Sequence, residues 1–201
     1  MELNTRTQLL LATYISKMSA SMQEAASKKQ LKFSDGYYYK RFELPSSASG
    51  LQDILLNDDS QKDGFCSISK QKINQGCAFM ANRFTFKAYA VATASATGSE
   101  TAGNVPYSAI STITAVPVLQ DAELEFTVNG ERQWIAPINA FNHETIESNS
   151  DKDGLNVSAP CFVNDEQLMQ FRLHLPQGES ISGYKVFVEV CMYGAECRIS
   201  R

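Results

Sequence analysis

The stretch Ala122-Glu-Leu-Glu-Phe-Thr-Val-Asn-Gly-Glu-Arg-Gln-Trp-Ile135 decides the fold class. Leu124, Phe126 and Val128 alternate with Glu123, Glu125 and Thr127, the two-residue period of a strand with one face buried. Asn129-Gly130 follows, the pair that best tolerates positive φ at both central positions of a tight hairpin. Arg132–Ile135 then reads as the returning strand. An antiparallel hairpin of this kind needs neighbours of its own type, and the same period appears on both sides of it.

Upstream, Asn82–Thr93 places Phe84, Phe86, Ala88 and Ala90 on one face and Arg83, Thr85, Lys87 and Tyr89 on the other. Tyr37–Phe42 (YYYKRF) and Phe65–Ser69 read as strands, and 51–64 as a helical turn running into a polar loop. Residues 92–108 are small, polar and aperiodic, which predicts a long exposed loop. Ile110–Leu119 is β-branched and reads as a strand. Downstream, a polar loop at 142–156 precedes Leu168–Leu175, which sets Met169, Phe171, Leu173 and Leu175 against Gln170, Arg172 and His174. The last long strand is Tyr184–Tyr193, apolar on both faces near its end and therefore central.

Residues 5–26 have a different period. Leu11, Tyr14, Ile15, Met18, Met22 and Ala25 recur at three- and four-residue steps, the stripe of an amphipathic helix. Asn4 or Thr5 is placed to cap it, and Lys28 and Lys29 suit its negative end. The stripe either packs on the chain's own sheet or docks on a neighbouring subunit. The expectation is a mainly β chain: an antiparallel β-sandwich or jelly-roll-like domain over 33–201 behind an N-terminal helical arm over 1–32.

A net charge of −4 and a sequence pI near 5.2 argue against nucleic acid as the main partner, which calls for a clustered cationic surface. No apolar run approaches a membrane span, and the first residues do not read as a secretory signal. The protein is expected to be made in a cytoplasm. The five cysteines, Cys66, Cys77, Cys161, Cys191 and Cys197, lack CxxC spacing and read as buried free thiols. A bridge between Cys191 and Cys197 across a turn is the alternative.

The search for chemistry returns little. No GxSxG, HExxH, P-loop or GxGxxG pattern occurs. Of the two histidines, His143 lies in a polar loop near Glu144 and Glu147, and His174 points outward from a strand. A cysteine hydrolase would have to assemble Cys161 or Cys66 with His174 in space. Asn149–Gly154 has the alternating oxygens of half an EF-hand loop, but the twelfth position is Pro160, so an ordinary Asp-Gly turn is the simpler reading. Asp58-Asp59 and Glu123/Glu125 read as solubility and edge charges. Trp134 with Tyr37, Tyr38 and Tyr39 are the residues for an aromatic sugar platform, or equally for core packing or subunit contact. No cofactor or metal is expected.

From PVLQDAELEFTVNGERQWIAPINAF through LNVSAPCFVNDEQLMQFRLHLPQGESISGYKVFVEVCMYGAECR, the chain resembles bacteriophage virion structural proteins over about residues 80–198. The shared features are an "EL-f-vNG" hairpin strand, an apolar-Pro-apolar step before Gln-Leu, and an "LPqG" strand end. The resemblance implies a minor capsid, vertex or connector component without enzymatic activity, residing in the virion and contacting itself and other virion proteins. The assembly surface then expected comprises Leu11, Tyr14, Ile15, Met18, Met22, Tyr38 and Trp134. The alternative is a β-sandwich module that binds carbohydrate or protein.

Overall fold

A computed structural model describes residues 5–109, 113, 116–141, 154–178 and 181–200. Among the described residues nine strands run β1 (Leu31–Leu44), β2 (Leu51–Asp53), β3 (Cys77–Ala92), β4 (Ser108–Ala109), β5 (Glu123–Val128), β6 (Glu131–Pro137), β7 (Leu155–Asn164), β8 (Met169–His174) and β9 (Tyr184–Ile199). They form two sheets. The first has the order β1-β9-β3, with β7 and the short β4 sharing the far side of β3; the second has the order β2-β8-β5-β6. Every pairing is antiparallel.

Apart from β4, the pairs β1–β9, β2–β8, β3–β7 and β5–β6 are nested about one hairpin, and alternate pairs fall in opposite sheets. A long antiparallel ribbon rolled up on itself gives this order, which is the topology of a jelly roll. The hairpin at the centre is Asn129-Gly130, with φ of 52° and 79°, the left-handed pair that the dipeptide predicts. β9 is central, between β1 and β3. It runs six residues beyond the expected end at Tyr193, because the run to Ile199 stays paired on both sides.

The sandwich core is aromatic where β3 meets the second sheet. Phe84 lies 5.3 Å from Phe126, 4.7 Å from Trp134 and 6.2 Å from Phe171, centroid to centroid. A bulge between Ala81 and Arg83 changes which residues of β3 face inward. Before it Phe79 and Ala81 enter the core; after it Phe84, Phe86 and Ala88 do. The face assigned from sequence to Phe84, Phe86, Ala88 and Ala90 is the inner one.

The outer face of the first sheet carries a second apolar layer. Leu11, Met18 and Met22 pack on Ala78, Met80, Ala195 and Cys197. The 5–26 segment is not one helix, however: α1 (Thr5–Thr13), a 3₁₀ turn (Ile15–Lys17) and α2 (Ala20–Ser27) follow each other, with Met18 extended between the last two. Side chains near the break bond to backbone carbonyls that a continuous helix would use. Thr13 Oγ1 donates to Leu10 O at 2.7 Å, and Gln23 Nε2 donates to Met18 O at 2.8 Å. The apolar stripe survives the break, since each piece presents its own part of it to the sheet.

Four other expectations change. Residues 51–53 form β2 rather than a helical turn. Phe65–Ser69 is not a strand: Phe65 and Ser67 bond to Arg41 and Tyr39, with a single bridge from Lys40 to Cys66. Pro117–Gln120 is a short helix, α3, with proline in its first turn; the rest of Ile110–Leu119 lies mostly outside the described residues. The 92–108 loop is not loose throughout. Glu100 accepts from Thr97 N at 2.9 Å and Gly98 N at 3.0 Å, and Lys185 Nζ donates to Glu100 O at 3.0 Å. Asn4, His143 and Asn149–Asp153 lie outside the described residues.

Candidate functional site

The residues expected to face a neighbour are distributed differently. Leu11 (0% exposed), Met18 (3%), Met22 (0%) and Tyr38 (4%) are interior. Tyr14 and Ile15 are half-buried beside the same helical layer, with Tyr14 5.2 Å from Phe162. Trp134 packs between the sheets against Phe84, Phe126 and Phe141. Leu11, Met18, Met22 and Tyr38 are thus covered by the chain itself, while Tyr14, Ile15 and Trp134 keep part of their surface open. The spacing of Leu11, Met18 and Met22 predicts an apolar stripe, and the structure lays that stripe on the chain's own first sheet.

The sugar platform of Trp134 with three tyrosines also does not form. Alternation along β1 sends Tyr38 inward, where its hydroxyl donates to Glu196 Oε1 at 2.8 Å, and sends Tyr37 and Tyr39 to the outer face. There Tyr37 stacks on Tyr39 and on Tyr193, both at 6.1 Å. Guanidinium groups close the row, Arg83 4.4 Å over Tyr193 and Arg41 5.3 Å over Tyr39.

Two acidic residues read as edge charges are in fact bonded inward. Glu125 is 4% exposed; Arg132 Nε lies 2.7 Å from one carboxylate oxygen and His174 Nε2 2.8 Å from the other. Arg132's hydrogen bond, then His174's, outweighs burial and holds the carboxyl below its usual range. Asp59 pairs with Lys40. Arg132 reaches Glu125 across the Asn129-Gly130 hairpin, a local neighbour in sequence, but the register that brings His174 of β8 to it is a tertiary fact.

The thiols are in environments opposite to that of a nucleophile. Burial pushes Cys66 up, Cys77 and Cys161 to about 11, and Cys191 and Cys197 to about 12. His174 engages Glu125 in the second sheet, whereas Cys161 sits on β7 in the first. Cys191 and Cys197 lie on one continuous strand, roughly 20 Å apart at about 3.3 Å per residue, so the turn-spanning bridge is excluded. All five cysteines are free.

The outer edge of β1 carries both polar and aromatic groups. Arg41 N–H donates to Phe65 O and Ser67 N–H to Tyr39 O, which fixes odd-numbered backbone groups of β1 as the ones facing away from β9. Below Tyr39 the edge continues to Leu31, where Ser200 N–H caps the paired side on Gln30 O. Two troughs adjoin it. One of about 370 Å³ is lined by Tyr37, Gln61, Asp63, Asn74 and Glu196 among others; one of about 470 Å³ is lined by Lys32, Phe33, Ser34 and Ile199, and Arg198 borders both. Arg198 holds Glu196 at 3.0 Å. Among the described residues no cluster of His, Cys, Asp and Glu is arranged to hold a metal ion, and no helix is long and apolar enough to cross a membrane.

Comparisons with protein-family models, curated proteins and solved structures find no match for this chain.

Proposed function

We propose that the chain is a structural component of a bacteriophage virion, a minor capsid, vertex or connector protein that works through contacts with itself and with other virion proteins. The observation that carries this reading is the nested strand order of a jelly roll, an architecture used by viral capsid domains, in a chain whose strand and turn motifs resemble those of phage virion proteins. The thiols raised by burial, and the histidine engaged with Glu125, favour contact over catalysis. The test is to purify particles from an infected culture and identify their proteins by mass spectrometry, with light scattering on the isolated chain. Copies at fixed stoichiometry in the particle support the reading; absence from purified particles ends it.

Jelly rolls also serve as lectin domains, and one observation favours that second reading. The trough beside β1 combines a tyrosine that is 57% exposed with the amides of Gln61 and Asn74 and the carboxylates of Asp63 and Glu196. Planar polar groups beside an aromatic ring are the groups that hold sugar hydroxyls. Glycan-array binding abolished by Asn74→Ala would support this module; no binding at millimolar oligosaccharide would remove it.

A further inference from the structure

The outer edge of β1 ends its sheet beside two concave troughs. Because Tyr39 and Arg41 turn their backbone groups outward to residues 65–67, the two-residue period turns those of Phe33 and Tyr37 the same way. Among the described residues, the one bridge on that side of β1 joins Lys40 to Cys66, beyond this segment. An edge of this length is a template for a further strand.

We propose that β1 pairs antiparallel with β1 of a second copy of this chain, about a two-fold axis at Ser34, joining two first sheets into one. This deepens the reading of the chain as an assembling protein and rests on it. Three observations name the occupant as a second copy.

The first is the Ser34 hydroxyl, which is buried and has no partner among the described residues. With odd residues carrying the new hydrogen bonds, the two Ser34 residues meet as a non-hydrogen-bonded pair. Side chains are closest in such a pair, at a Cα separation of about 4.5 Å, and each hydroxyl becomes the other's partner.

The second is register. An axis at Ser34 sets Leu31 opposite Tyr37 of the second copy, apolar against aromatic, whereas moving it to Asp35 would set two like charges face to face. The third is the polarity of the edge. Lys32 lines the trough at one end and Asp63 the trough at the other, so an antiparallel two-fold brings the basic end of each copy to the acidic end of its mate. Seven residues of pairing fall short of the ~1,200–2,000 Å² of a stable dimer, so the contact is expected to be weak alone and multiplied in a particle.

Sedimentation equilibrium of the full chain over a wide concentration range tests this. A reversible monomer–dimer equilibrium is expected. Phe33→Pro should shift it toward monomer by at least tenfold, since the lost N–H faces outward and no internal bond goes with it; Phe33→Ala controls for the ring. Ser34→Cys should give a covalent dimer on addition of diamide, the two thiols passing their two hydrogens to that oxidant. A chain that stays monomeric at millimolar concentration overturns the proposal. So does a dimer indifferent to Phe33→Pro and unlinked through Cys at position 34. Either result can coexist with the chain being found in particles, so failure here is separable from failure of the virion reading.

Discussion

At the scale of single residues, the polar groups that the fold buries are the ones most open to test. Glu125 joins β5, β6 and β8 through Arg132 and His174. Its folded carboxyl titrates below its unfolded one, so it stabilises the fold above the unfolded value of about 4.3. That contribution fades as pH falls through the lower folded value. Urea unfolding at pH 7 and pH 3 should show wild type losing more stability than Glu125→Gln, and at pH 7 the variant should be weaker by about 1–3 kcal/mol. Glu100 is the exposed counterpart: backbone N–H groups of its own turn, Thr97 first, hold its carboxyl at about 2. Carboxyl-resolved NMR titration should find it ionised well below the other glutamates, and a midpoint near 4.5 would mean the turn is not formed. With burial raising all five thiols, a disulfide reagent such as Ellman's should label essentially none in the native state and all five after unfolding.

Elements succeed or fail here by how closely they approach. Gly194 on β9 stands opposite the bulge in β3, and a Cβ there would lie 1.9 Å from Met80 O. No side-chain movement relieves a clash with backbone, so Gly194→Ala should part the two central strands. A loss of more than about 3 kcal/mol, or failure to fold, is expected by thermal and urea unfolding. The helical layer is held differently, by small residues of the sheet receiving large ones of the helices. Leu11 and Met22 are fully buried against Ala78 and Ala195, so Leu11→Ala or Met22→Ala should each cost about 2–5 kcal/mol. If residues 5–27 instead hung free, either change would be nearly silent. The amphipathic stripe of this segment was legible in Leu11, Met18 and Met22. Its break was not, because the competing bonds from Thr13 and Gln23 depend on where the neighbouring carbonyls lie.

For the whole molecule, the architecture was largely legible and the candidate site was not. Alternation at Leu124–Val128 and Phe84–Ala88 announces strands, and Asn129-Gly130 announces the hairpin about which the other pairs nest. Local dihedral preference and a buried face of period two are enough to dictate both. Nothing local states that β1 lies against β9, some 150 residues later, or that a bulge beside Arg83 switches which side chains enter the core. Those pairings put Tyr38 inside, left Tyr37 outside, brought His174 to Glu125, and left an open strand edge beside two troughs. The sequence by itself therefore determined the long alternating strands, the central turn and the apolar faces, since these follow from each residue's own geometry and its nearest neighbours, whereas β2, β7 and the irregular 65–69 segment take their form from the strands they lie against. Only the tertiary structure decided which of those faces the chain covers for itself and which strand edge it leaves open. That choice depends on the register between distant strands, and register is settled by packing across the whole core.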